Sequence, residues 1–107
     1  MVRKYRNRSC EFQGVKYDSL KEGNYALHLH YEQMAREIQR WEPKPKYRLV
    51  VNGAPICTIV PDFLVVTRDG KTEVHEIKSK PTMTPVWRLK KKLFEVLYPD
   101  IIYRVIV

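Results

Sequence analysis

Asp62, Glu76 and Lys78 are the residues of this 107-residue chain whose types and spacing can do chemistry together. Asp62 interrupts the apolar run Ile59-Val60-Pro61-Asp62-Phe63-Leu64-Val65-Val66, where a carboxylate needs a reason. Thr67-Arg68-Asp69-Gly70-Lys71 follows, and Asp-Gly between two β-rich runs is a strong hairpin signal. The turn folds Ile56–Val66 back against Thr72–Lys78 and brings Asp62 toward the second strand. There the period of two puts Glu76 and Lys78 on one face and His75 and Ile77 on the other. One reading is structural: Asp62 caps a backbone group at the bend after Pro61, and Glu76 and Lys78 form a solvated ion pair. The other is chemical. Two neighbouring carboxylates repel unless a cation lies between them, and a hard ion such as Mg²⁺ takes their oxygens while leaving room for water. Lys78 then orients or activates the water that attacks phosphorus.

The pattern Pro61-Asp62, thirteen residues, then Glu76-Ile77-Lys78 resembles the PD-(D/E)XK nuclease superfamily, which includes restriction endonucleases, phage exonucleases and Holliday-junction resolvases. The resemblance implies a core ordered helix, three antiparallel strands, helix, strand, often with a further acidic residue on the first helix.

Those elements are sought along the chain. Ser19-Leu20-Lys21-Glu22 is a capping box that starts a helix, and Leu20, Leu27, Tyr31, Met34, Ile38 and Trp41 recur at helical spacings, predicting an apolar stripe to about Arg40. Glu42-Pro43-Lys44-Pro45 ends it. His28 and His30 diverge around this helix and read as surface histidines. Lys46–Val51 is β-rich, Asn52-Gly53 is a turn, and these strands with Thr72–Lys78 form a predicted antiparallel meander. Thr84-Pro85 opens a second helix with Val86, Leu89, Leu93, Val96 and Leu97 as its buried stripe, ending at Tyr98-Pro99. The apolar run Ile101–Val107 predicts a buried strand reached by a right-handed parallel crossover. The expected fold is thus α/β (α+β), a single restriction-endonuclease-like domain of order α-β-β-β-α-β over residues 17–107, with a mixed sheet flanked by helices.

The remaining features bound the function. Residues 1–16 read as a basic, flexible arm carrying Arg3, Lys4, Arg6 and Arg8. The chain bears a net charge of +8, which suits a polyanion. Four glycines and no phosphate-cradling loop argue against a nucleotide cofactor. No apolar run spans a membrane, and Cys10 and Cys57 offer neither metal spacing nor a disulfide framework, so the expectation is a cytoplasmic protein with reduced thiols.

By the resemblance, Mg²⁺ or Mn²⁺ is held by Asp62, Glu76 and the backbone carbonyl of Ile77, with Glu22 as an accessory acid and Lys78 positioning the attacking water. Glu22 is equally well explained by its capping box. Arg88, Lys90, Lys91, Lys92 and Lys80, with the N-terminal arm, are candidates for DNA contact, and a solvated helix face explains the helical cluster as well. The size and the run Tyr17-Asp18-Ser19-Leu20-Lys21-Glu22 look most like small phage-type members related to Holliday-junction resolvases. The expected activity is a metal-dependent endonuclease on branched or double-stranded DNA. Concerted cutting of two strands from one site per chain implies a homodimer. The competing class is a non-catalytic basic DNA-binding module that keeps the fold.

Overall fold

A computed structural model describes residues 9–107 of the protein. Arg3, Lys4, Arg6 and Arg8 lie outside the described residues.

Two hairpin turns and two helix caps read from the sequence are present. Helix α1 (Leu20–Met34) starts where the Ser19 hydroxyl accepts the Glu22 N–H at 3.1 Å. Helix α2 (Pro85–Leu97) starts where the Thr84 hydroxyl accepts the Trp87 N–H at 3.1 Å, with proline in its first turn. Strands β4 (Tyr47–Val51) and β5 (Ala54–Ile59) are joined by Asn52 and Gly53, whose φ values of 49° and 81° are those of a tight primed turn. Strands β6 (Phe63–Thr67) and β7 (Thr72–Ile77) are joined across Asp69-Gly70, with Val66 opposite Thr72 and Phe63 opposite His75.

The central sheet has the order β3-β6-β7-β8. Strand β3 (Ile38–Pro43) runs antiparallel to β6, β6 antiparallel to β7, and β8 (Ile102–Ile106) parallel to β7 through α2. The protein is therefore an α+β domain with a mixed four-stranded sheet flanked by helices. Along this sheet the order is α-β-β-β-α-β, as the sequence predicts, but the first strand is a different segment. Helix α1 stops at Met34 instead of Arg40, because Ala35 closes its last turn and Arg36 turns the chain through a left-handed conformation at φ 61°. Ile38 and Trp41, assigned to the helical stripe, lie on β3 and pack on the core. The Lys46–Val51 segment, expected in the meander, pairs only with β5 as a separate two-stranded hairpin. The predicted strand Ile56–Val66 is broken at Val60-Pro61-Asp62, where the chain passes from that hairpin into the central sheet.

The core lies on both faces of the sheet. Tyr17, Ala26, Leu29, Ile38, Phe63 and Val65 fill the α1 side, and Leu49, Ile59, Val74, Phe94 and Tyr103 fill the α2 side. Both helical stripes differ from expectation. In α1 the buried residues are Gly23, Ala26 and Leu29, while Leu20, Tyr31 and Met34 are exposed; in α2 it is Phe94, while Val86, Leu89 and Val96 are exposed. The segment read as a flexible arm to Lys16 contains a further hairpin, β1 (Cys10–Phe12) with β2 (Val15–Tyr17), packed on α1. Gly23 marks that contact, since a side chain there would collide with Cys10 Sγ. Gly23→Ala alone should destabilise the domain by about 1–2 kcal/mol, because the steric cost exceeds the roughly 1 kcal/mol helix gain. In a Cys10→Ala background the same change should stabilise; thermal melts of the four proteins measure the coupling, and an unchanged sign would contradict the packing.

Candidate active site

Asp62 and Glu76 are brought together by the β6–β7 register. One step beyond the Phe63–His75 pair places Asp62 across from Glu76. Asp62 Oδ2 accepts the Ile77 N–H at 2.7 Å, so the carboxylate does cap a backbone group at the bend, as the structural reading supposes. Its other neighbour is Glu76, whose carboxyl lies close enough to share a hydrogen bond with it. Burial first, then the Glu76 charge and that shared bond push Asp62 from 3.8 up to about 7, against the Ile77 amide and Lys78, which pull it down. The pair can relax by holding one proton, or by holding a cation.

Glu76 is buried. Tyr103 donates its hydroxyl hydrogen to Glu76 Oε1 at 2.7 Å, and Trp87 Nε1–H donates to the Tyr103 oxygen at 3.2 Å. Burial, with the Glu76 carboxylate beside it, keeps the Tyr103 phenol protonated well above its ordinary range. This brace was not foreseen. Its one sequence signal is a tyrosine in the otherwise aliphatic last strand; the parallel register that pairs Tyr103 with Val74 sets it beside Glu76.

Glu22 lies on the α1 side. Burial raises its carboxyl, and Asp62 and then Asp18 raise it further, while the Asp18 amide and Lys44 lower it. It therefore feels the Asp62 charge. Among the described residues only the Ser19 half of the capping box forms, through the Glu22 N–H. That half does not use the Glu22 carboxylate. Lys78 shares a cleft of about 420 Å³ with Glu76, Thr58, Trp87 and Lys90. Its ammonium donates to the Thr82 carbonyl at 3.1 Å and stands 4.9 Å from the Trp87 ring centre.

The donor set suits a hard cation of modest demand. Among the described residues no three His, Cys, Asp or Glu side chains form a ready-made ligand cluster. Asp62 and Glu76 are two crowded oxygen donors. Glu22 senses Asp62 without completing such a cluster. A small dication that retains several waters fits this better than one that needs an all-protein cage.

The basic candidates divide. Lys90 joins Lys78 in the cleft, where its ammonium donates to the Thr58 carbonyl at 3.2 Å. Arg88, Lys91 and Lys92 line a larger hollow of about 800 Å³ between α2 and Val105, with Lys91 bonded to Glu95 at 3.0 Å. Lys80 is exposed in a 3-10 turn after β7.

On the opposite face of β7 a second polar group was also not foreseen. Buried Glu73 accepts from His75 Nε2 at 2.8 Å and from Arg104 at 2.9 and 3.2 Å, and the Tyr25 hydroxyl meets His75 Nδ1 at 2.6 Å. Burial pushes the Glu73 carboxyl up, but Arg104 and His75 outweigh it and hold the group below its ordinary value. The set ties α1, β7 and β8 together behind the site.

Residues 2–107 match the family described as "Protein of unknown function (DUF1064)", and the chain belongs to that family. No curated protein and no solved structure matches it. No described helix is long and apolar enough to cross a membrane.

The crowding of Asp62 has a thermodynamic signature. Its folded value lies above the unfolded 3.8, so the stability it contributes is fully present below about 3.8 and is lost as pH rises through about 7. Asp62→Asn keeps an oxygen for the Ile77 N–H and removes the charge. In the absence of divalent metal it should be more stable than the parent by about 2 kcal/mol at high pH, after discounting for solvent screening, and equal to it at acid pH. Denaturant unfolding from pH 4 to 8.5 checks this, and a pH-independent difference would remove the like-charge pair.

Proposed function

We propose that this DUF1064 protein is a metal-dependent phosphodiesterase acting on DNA. The observation that carries the reading is the Asp62–Glu76 pair, two carboxyls pressed together beside Lys78 at a cleft that opens on a chain of net charge +8. The charge fits a polyanionic substrate, and the crowded oxygens fit a hard divalent cation.

In this reading Asp62, Glu76 and the Ile77 carbonyl hold Mg²⁺ or Mn²⁺, with Glu22 adding negative charge from α1. The bound cation would supply acidity to a water and positive charge opposite the phosphate. The chain's own residues do the rest. Tyr103 fixes the Glu76 carboxylate by its 2.7 Å hydrogen bond, and Ile77 fixes Asp62, so both donors are oriented before substrate arrives. Lys78, freed from the Thr82 carbonyl, reaches into the cleft to position the attacking water, and Lys90 offers a phosphate contact. By the sequence resemblance, hydrolysis would leave 5′-phosphate and 3′-hydroxyl ends. The same resemblance favours structure-directed cutting, and concerted cutting of two strands from one site per chain would take a homodimer.

Purified protein incubated with supercoiled, linear, single-stranded and four-way-junction DNA tests the reading. Cleavage should require Mg²⁺ or Mn²⁺ and stop in EDTA. Asp62→Ala and Glu76→Ala should lose at least about 10³-fold in rate with DNA binding retained, and Lys78→Ala about 10²-fold. Glu22→Gln should be slower only if its carboxylate serves the metal. Unchanged cleavage by either the Asp62 or the Glu76 variant would overturn the assignment of the reaction to this site, and DNA binding by the parent without metal-dependent cleavage would leave a basic DNA-binding module as the account.

A further inference from the structure

The β4–β5 hairpin takes no part in the central sheet, and its composition departs from the rest of the chain. From Leu49 to Pro61 it carries no charge, in a chain that is 30% charged. No acidic residue lies between Glu42 and Asp62, whereas Lys44, Lys46 and Arg48 alternate along the chain at its root and are exposed, with the Lys44 ammonium donating to the Lys16 carbonyl at 3.2 Å.

The root is fixed on α2. Leu49 is fully buried, the Tyr47 ring packs edge-on against Phe94 and Tyr98, and Tyr98 and Lys90 donate to the carbonyls of Arg48 and Thr58 at 2.9 and 3.2 Å. The tip is the reverse. Asn52 through Ile56 are all exposed, and Ile56 leaves 58% of its surface in water. Asn52 and Gly53, both at positive φ, make the tip a tight turn instead of a slack loop. Ala54, Pro55 and Ile56 thus form a small exposed apolar point on a firm, uncharged tip.

Two features choose the occupant. Pro55 has no N–H to offer a ladder and sits beside a register shift between Leu49 and Val50, so this edge is poorly suited to adding another strand from a second copy. A tip without charge above a root of Lys44, Lys46 and Arg48 complements DNA, with phosphates at the root and bases at the tip. Proline and isoleucine are side chains that wedge between base steps and unstack them.

We propose that the β4–β5 hairpin inserts Pro55 and Ile56 into an unstacked base step at a branch point of DNA. The inference rests on the nuclease reading and names its substrate class. Strand β5 leads through Val60-Pro61 to Asp62, and the six residues from Ile56 span at most about 22 Å. At about 3.4 Å per nucleotide, the cut phosphate lies within about six nucleotides of the wedged step.

The test places 2-aminopurine at each base flanking the branch of a four-way junction and adds the full chain in EDTA, where cleavage is stopped. Its fluorescence should rise severalfold at one flanking step. Ile56→Ser should abolish the rise and reduce the preference for junction over linear duplex by about tenfold, with linear-duplex affinity and thermal midpoint unchanged. With Mg²⁺ the parent should cut within about six nucleotides of the branch. Junction binding by both proteins without any fluorescence change overturns the wedge and leaves the nuclease reading intact. A fluorescence rise without metal-dependent cutting supports the wedge and removes the nuclease. A drop in sedimentation coefficient on Ile56→Ser, with fluorescence like the parent's, overturns the wedge in favour of self-association.

Discussion

The 2.7 Å hydrogen bond from the Ile77 N–H to Asp62 Oδ2 holds a carboxylate at the corner where the chain leaves the β4–β5 hairpin and enters the central sheet. The position is costly, because the register that makes the bond also sets Glu76 against Asp62. The fold commits to both sides of this conflict. It braces Glu76 with Tyr103 and Trp87 from the α2 side, and brings Glu22 toward Asp62 from the α1 side. A single well-placed backbone donor would serve a structural cap. It gives no reason for a second buried carboxyl to be aimed at the first. A cation does.

The two faces of β7 divide the work by the period of two. Val74, Glu76 and Lys78 face α2 and its cleft, while Glu73, His75 and Ile77 face α1. On the α1 face the charges are matched: Glu73 has His75 and the Arg104 fork, with Tyr25 closing the set. At the Asp62–Glu76 corner they are not, since Lys78 is turned to the Thr82 carbonyl. The same strand therefore carries one satisfied polar network and one strained pair, side by side. That contrast supports the proposal that the Asp62–Glu76 corner is a site and the Glu73 network a brace.

Local chemistry made much of this legible in the sequence. Asp69-Gly70 sets the turn that pairs Val66 with Thr72, and counting back from it places Asp62 opposite Glu76 without any knowledge of the fold. Ser19 and Thr84-Pro85 mark both helix starts for the same reason: a cap is a contact within four residues. The illegible parts depend on distant partners. Ile38 and Trp41 continue the helical spacing of α1 and equally suit a strand, and only the open edge of β6 decides. Arg36 ends the helix in a left-handed conformation that its residue type does not announce. The buried face of α1 is small, Gly23 and Ala26, because the β1–β2 hairpin and the sheet approach closely there; a stripe of large apolar residues points the wrong way. Tyr103 needed the parallel register of β8, which no local signal sets.

The central claim is that Asp62 and Glu76 share a cation where they would otherwise share a proton. Calorimetric titration of Mg²⁺ into the protein in buffers of differing ionisation heat measures both events at once. With Asp62 raised to about 7, binding near pH 6 should release about one proton, and the release should fall toward zero above pH 8. Mg²⁺ that does not bind, or that binds near pH 6 without displacing a proton, would contradict the account.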